Sequence, residues 1–205
     1  MAIQVDVWSD FVCPWCYAAA LNLKQLQETE AVNITWHAYE LHPAGSPPMP
    51  PDYLRHITEV GQPQFNKMML EQHGLVINSG PFGINSRLAL IADKYAEAQG
   101  NHDFHEAVKR AYWHEAKDIS QLAVLREIAE SAGLDGEAFA DVMGDPVKYA
   151  EYDIEVTQDV RQAYAYGLQG VPAQIFEMRY LIPGAVPVET LREVVAEIKK
   201  EGLAE

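Results

Sequence analysis

Strand-forming sequence is confined to the two ends of this chain, and that restricts the folds open to it. Near the start, Ile3-Gln4-Val5-Asp6-Val7-Trp8 alternates and is rich in β-favouring residues, so it reads as a first strand. Pro14 suits the first turn of a following helix, where its missing N–H costs nothing. The run Ala18-Ala19-Ala20-Leu21 carries that helix to about Glu28, and residues 32–39 read as a second strand. Such a β-α-β unit is usually parallel, with a right-handed crossover. At the other end, residues 173–177 and 179–182 read as two short strands joined tightly at Met178. An amphipathic helix over residues 188–201 follows, with Leu191, Val194, Val195 and Ile198 on its apolar face.

Between these ends the pattern is helical. A loop containing Pro43, Pro47, Pro48, Pro50 and Pro51 leads into it. Helices are predicted over residues 53–73 (broken near Gly61-Gln62-Pro63), 85–99, 104–116, 120–132, 135–143 and 146–166. Ser120 is the expected N-cap of the fourth of these, and Gly133 its stop. The order predicts an α/β fold in which two halves of one small sheet domain flank an all-helical insertion. The expected boundaries are 1–45 with 167–205 for the sheet domain and 46–166 for the insertion.

The formal net charge of −15 argues against nucleic acid or an anionic membrane as partner, since both repel it. The opening Met1-Ala2-Ile3-Gln4-Val5-Asp6 has neither the basic nor the apolar region of a secretory signal. No run approaches the ~20 apolar residues of a membrane span. A cytoplasmic protein is the expectation.

The chain has only two cysteines, Cys13 and Cys16. A bridge over so short a loop removes little unfolded-state entropy, so a chemical role explains the pair better than a stabilising one. In Phe11-Val12-Cys13-Pro14-Trp15-Cys16-Tyr17, two thiols on a helical first turn are able to close a small disulfide. Cys13 would sit at the helix N-terminus, where unpaired N–H groups and the dipole favour thiolate over thiol. It is the expected nucleophile, left open to incoming disulfides. Cys16, one turn in and more buried, is the expected resolving thiol, displacing reduced product from the mixed disulfide. Zinc wants four ligands and there is no second such pair, so no metal site and no cofactor are expected.

A second signal is Gly170-Val171-Pro172-Ala173, directly before a predicted strand. Taken with the cysteine pair it suggests a cis peptide between Val171 and Pro172. The N–H and C=O of Val171 would then pair with an extended substrate chain, as an added strand does. Pro14, Trp15, Val171 and Pro172 are therefore the candidate substrate-binding residues, with Trp15 expected to be exposed. Trp8 reads as core or domain interface. His102 and His105 with Asp103 between them read as solvated residues near a helix start rather than a metal site. His37 and His42 flank a strand end, and residues 78–83 form a turn-rich loop.

These motifs resemble the DsbA-like thioredoxin superfamily, specifically its FrnE-like branch of thiol–disulfide oxidoreductases. The segment from Val7 to Tyr17 looks like that branch's opening signature, and Gly170-Val171-Pro172 like its cis-proline loop. Ala111-Tyr112-Trp113, Asp118-Ile119-Ser120 and Ala132-Gly133-Leu134-Asp135 are similar to its helical domain. The resemblance implies a thioredoxin fold interrupted by a helical domain, with disulfide exchange at Cys13 and Cys16. It also implies a disulfide-containing protein, or a small thiol such as glutathione, as partner to a monomer or homodimer. Two departures matter. Many thioredoxin-like proteins have a buried acid six residues before the nucleophile; here Val7 stands there, and alternation turns Asp6 to the other face. Asp10 or a water are the candidate proton acceptors for Cys16. Trp15 stands where a histidine would stabilise a thiolate by charge, which predicts a milder oxidant. In a reducing compartment this favours reduction or isomerisation. The alternative is a glutathione-dependent isomerase or transferase of the kappa-class or hydroxychromene carboxylate isomerase type. Those relatives usually have serine in place of Cys13 and lack the second thiol, so the two retained sulfurs weigh against it.

Overall fold

The computed structural model describes residues 2–202. In chain order the elements are β1 (Ile3–Ser9), α1 (Pro14–Gln27), β2 (Val32–Ala38), α2 (Pro51–His56), α3 (Gln62–His73), α4 (Arg87–Ala98), α5 (Asp103–His114), α6 (Leu122–Ser131), α7 (Gly136–Met143), α8 (Ala150–Ala165), β3 (Ala173–Phe176), β4 (Tyr180–Pro183) and α9 (Val188–Lys200). The chain forms two compact units. One comprises residues 1–41 and 147–205 and holds the whole sheet; the other comprises residues 42–146 and is helical. The expected order of a sheet domain split by an all-helical insertion is what the chain adopts.

The sheet runs β2-β1-β3-β4. β1 pairs parallel with β2 and antiparallel with β3, which is antiparallel to β4. β1 is central and buried on both faces. Ile3, Val5 and Val7 point to one face, where they pack with Leu23 and Leu26 of α1 and Leu191, Val195 and Ile198 of α9. Trp8 points to the other, with Ala173 and Ile175 of β3 and Ala163 of α8. β1 alternates, with Gln4 exposed and Asp6 partly buried between the apolar residues, whereas all four residues of β3 are buried. The β3–β4 hairpin turns on Glu177 and Met178, both at φ +51, closed by the Arg179 N–H on the Phe176 carbonyl at 2.9 Å. Two positive φ values match the twist of an antiparallel hairpin. Glu177 tolerates the left-handed backbone because its N–H and carboxylate both bond the backbone of Gln4 (2.9 and 2.7 Å).

Three local expectations are revised. α8 belongs to the sheet unit rather than to the insertion, so the second junction falls near residue 147 instead of 166. Its contacts explain this: it lies on β2 and carries Ala163 into the core behind Trp8. Gly61-Gln62-Pro63 does not break the helix. Pro63 cannot donate to the carbonyl four residues back, and the chain absorbs it in a π turn, Ile57–Gly61, with the Gln62 N–H on the Ile57 carbonyl. Ser120 does not cap α6; Gln121 is the N-cap, and the Ser120 hydroxyl and N–H both bond Asp118 (2.6 and 3.0 Å).

The helical unit has its own core. Phe139 of α7 meets Tyr95 and Phe104 at 5.8 and 5.7 Å between ring centres. His105 is not solvated: its Nδ1 lies 2.6 Å from Asp93 Oδ2, tying α5 to α4. The loop over residues 78–83 packs on the end of α5, with the Gly80 N–H on the Tyr112 carbonyl at 2.7 Å. A Cβ at Gly80 would come 2.3 Å from the Lys117 carbonyl, so only glycine fits.

In the sheet unit, α8 is joined to the strands by one polar cluster. His37 of β2 bonds Asp159 of α8 through Nδ1 (2.9 Å) and Asp6 of β1 through Nε2 (2.7 Å). Its ring stacks on Trp8, centres 4.4 Å apart. Asp159 also accepts the Ala38 N–H at 2.9 Å through its carboxylate, and the Trp8 indole N–H at 3.1 Å through its carbonyl. Burial opposes a charge on His37, but the hydrogen bonds to Asp159 and Asp6 outweigh it and hold the imidazole above its usual 6.5. A group whose folded value is raised stabilises most below its unfolded value and loses that effect as pH rises through the folded one. We therefore expect His37→Gln to cost about 2 kcal/mol in urea unfolding at about pH 6 and clearly less at about pH 9. A cost independent of pH would contradict the charged cluster.

Candidate active site

β1 ends at Ser9, and residues 10–13 turn the chain into α1 under the control of Asp10. Its carboxylate accepts the Val12 N–H at 3.2 Å through one oxygen and the Leu41 N–H at 2.8 Å through the other. Its carbonyl accepts the Cys13 N–H at 3.2 Å. Asp10 is 1 % exposed, and its role is to hold the loop. Both carboxylate oxygens accept backbone donors, which fixes Asp10 in the loop.

Cys13 is the N-cap of α1, with extended backbone (φ −85, ψ 117) and Pro14 as the first helical residue. Its Sγ accepts the Cys16 N–H at 3.2 Å, doing with sulfur what a serine or aspartate cap does with oxygen. The same sulfur shares a hydrogen bond with the Cys16 thiol and lies 3.8 Å from the Val171 carbonyl oxygen. The two sulfurs are not bonded to each other. Two donors and a helix N-terminus thus converge on the Cys13 sulfur. Cys16 is in the opposite situation. Burial, then the hydrogen bond and charge of Cys13, push its thiol well above its ordinary value, and weaker bonds from the Asp10 backbone and the Ser9 hydroxyl oppose this.

The expected difference in exposure is absent. Cys13 is 3 % exposed and Cys16 2 %, so burial does not separate them. What separates them is the hydrogen bonding: the helix start is aimed at Cys13, while Cys16 meets the Cys13 sulfur. Trp15 is half exposed at 49 %.

Val171 and Pro172 come from the other end of the chain and stand against the cysteines. Their peptide bond is cis. The Pro172 carbonyl accepts the Gly184 N–H at 2.8 Å, and the buried Gln174 amide reaches the Gly184 carbonyl at 3.0 Å, so the end of β4 braces the loop. Among the described residues no acceptor takes the Val171 N–H. The loop also borders a cleft of about 380 Å³ whose walls include Gly170, Leu181 and Pro183. Pro14, Cys13 and Cys16 on α1 and Val171 and Pro172 before β3 thus share the C-terminal end of β1. Ser9 was not singled out from sequence, yet it belongs here. Strand alternation is the signal that finds it: Val5, Val7 and Ser9 share the face that α1 covers.

Among the described residues, no group of three or more His, Cys, Asp or Glu is placed to hold a metal ion, and no helix is long and apolar enough to cross a membrane. A four-stranded β-α-β/β-β-α sheet with a cysteine pair at the start of its first helix defines a thioredoxin-fold protein with a potential dithiol site. Residues 4–196 match the model of the DSBA-like thioredoxin domain, and the chain belongs to that family, whose members are generally thiol–disulfide oxidoreductases. It is 25% identical over 209 residues to the uncharacterized protein YwbO of Bacillus subtilis (strain 168), covering 98% of this chain and 100% of that one. It is also similar to the crystal structure of a probable DsbA oxidoreductase from Streptomyces coelicolor, at 25% identity and a TM-score of 0.79, over 97% of this chain and 91% of that one. A 2-hydroxychromene-2-carboxylate isomerase shares the fold at 20% identity and a TM-score of 0.75, over 98% and 100% of the two chains.

The electrostatic asymmetry has a direct consequence. Iodoacetamide at neutral pH should alkylate reduced protein at Cys13, with Cys16 at least about tenfold slower, as read by peptide mass spectrometry. Equal labelling, or labelling of Cys16 first, would contradict it.

Proposed function

We propose that the protein is a thiol–disulfide oxidoreductase of the FrnE-like branch, with Cys13 as nucleophile and Cys16 as resolving thiol. The observation that carries this reading is the Cys13 sulfur capping α1, with the Cys16 N–H and thiol directed onto it and Val171 alongside. An incoming disulfide is attacked by Cys13, giving a mixed disulfide and a first released thiol. Cys16 then attacks Cys13, forming the Cys13–Cys16 bond and releasing the second. The unpaired Val171 N–H supports binding of an extended substrate segment along the proline loop, with Pro14 and the half-exposed Trp15 following Cys13 in the chain. Substrates of this reading are disulfide-containing proteins or oxidised small thiols such as glutathione disulfide, in a reducing cytoplasm.

Direction follows from the pair's own stabilisation. Trp15 adds no positive charge beside Cys13, so the reduced form gains less than with a histidine there, and reduction or isomerisation is favoured over net oxidation. Equilibration in glutathione buffers, followed by Trp fluorescence, should give a potential nearer thioredoxin's value of about −270 mV than DsbA's value of about −120 mV. Cys13→Ser should abolish reduction of a disulfide peptide, and Cys16→Ser should accumulate the mixed disulfide. Turnover by Cys13→Ser would refute the reading. Glutathione-dependent isomerisation or conjugation that survives in Cys16→Ser would instead favour the alternative suggested by the isomerase-like fold.

A further inference from the structure

The segment that follows β4 is gripped by two side-chain amides. Gln174 of β3 donates from Nε2 to the Gly184 carbonyl at 3.0 Å, and Asn22 of α1 donates from Nδ2 to the Val186 carbonyl at 2.8 Å. The Gly184 N–H lies on the Pro172 carbonyl at 2.8 Å. Residues 184–186 therefore form a strap with three attachments: to the helix that carries the cysteines, to β3, and to the proline loop. Gly184 takes φ +78 at the start of the strap, a left-handed turn that glycine makes without strain. The strap thus connects α1 to the loop in which the Val171 carbonyl oxygen stands 3.8 Å from the Cys13 sulfur. Gln174 is a costly residue to keep where it is. Its neighbours across the sheet are Val7 and Ile182, and alternation with Ala173 and Ile175 turns it to the apolar face shared by Val7 and Phe176. It is 1 % exposed, and its Oε1 has no hydrogen-bond partner among the described residues. A hydrocarbon side chain of the same length would leave no buried acceptor unmet. What the amide supplies and a hydrocarbon does not is the bond to Gly184.

We propose that Asn22 and Gln174 are positioning residues for substrate binding: their amides hold the strap over residues 184–186, and the strap, through Pro172, sets where the Val171 backbone stands against the Cys13 sulfur. The inference rests on the disulfide-exchange reading above. Both amides act through the strap rather than on the sulfurs. Their effect is on a substrate whose extended backbone pairs with Val171, and a disulfide that has no peptide backbone bypasses it.

The test is a single turnover of reduced protein with an excess of a fluorogenic disulfide peptide. The Cys13–Cys16 dithiol is oxidised by two electrons as the peptide disulfide is reduced to two thiols. Rate against peptide concentration gives a half-saturating concentration and a limiting rate. Gln174→Met keeps the length of the side chain and removes the amide. Its half-saturating concentration should rise at least about fivefold, with the limiting rate within about twofold of wild type. Its reaction with 5,5′-dithiobis(2-nitrobenzoate), which has no backbone to pair, should keep its rate. Its urea midpoint should stay close to wild type, because the unmet acceptor leaves with the donor. Asn22→Leu should show the same split between the two disulfides. The double variant should be little worse than the worse single one, since both amides act through one strap. Equal slowing with both disulfides, an unchanged half-saturating concentration in both single variants, or fully additive effects would overturn the role of the strap while leaving disulfide exchange intact. If one variant fails to fold, the other carries the comparison of the two disulfides; loss of the fold in both would assign the strap to stability and overturn the proposal. A wild-type protein that reduces neither disulfide would overturn disulfide exchange itself, and this inference with it.

Discussion

The site depends on one contact, the Cys16 N–H on the Cys13 sulfur at the first turn of α1. A helix start leaves several N–H groups without partners, and something must accept them. Here the acceptor is the Cys13 sulfur, so forming the helix and fixing that sulfur in place are favoured by the same geometry. That geometry is in turn set by packing. Leu23 and Leu26 seat α1 on Val5 and Val7, and Asp10 ties the intervening loop to Val12, Cys13 and Leu41. The position of the Cys13 sulfur is therefore decided by apolar burial along β1 and by the Asp10 carboxylate that fixes the loop.

The near-equal burial of Cys13 and Cys16 changes how their division of labour is understood. A difference in solvent access would have made Cys13 the nucleophile by accessibility. Instead both thiols are covered, and the hydrogen-bond directions distinguish them. Donors converge on Cys13, while Cys16 is desolvated beside that sulfur. Under the proposed exchange, bonding Cys13 to a substrate sulfur would remove the hydrogen bond and charge that help push the Cys16 thiol up, leaving burial as the main opposing cause.

Much of this was legible in the sequence, for identifiable reasons. The alternation of β1, the Pro14 helix start, the cysteine spacing and the Gly170-Val171-Pro172 loop are local signals, and each element they mark forms within a residue or two of its expected limits. The failures are tertiary. The helical period of α8 says nothing about which core it joins; Ala163 meets Trp8 only once the sheet exists. Pro63 reads as a break because the π turn that absorbs it has no sequence code of its own. His105 reads as solvated because Asp93, its partner, is a full helix away.

The placement of acid on β1 shows how little separates two designs. Successive side chains of a strand face opposite ways, so moving a carboxylate by one residue moves it through the sheet. At position 7 it would lie under α1 with the cysteines. At position 6 it lies on the face that α8 covers, where Asp6, His37 and Asp159 bind strand, strand and helix together around Trp8. The acid cannot serve both faces. Having Asp6 in the clamp leaves the cysteine face with valine at that pleat. An apolar Val7 adds no second carboxylate beside the pair, and burial is what pushes the Cys16 thiol up.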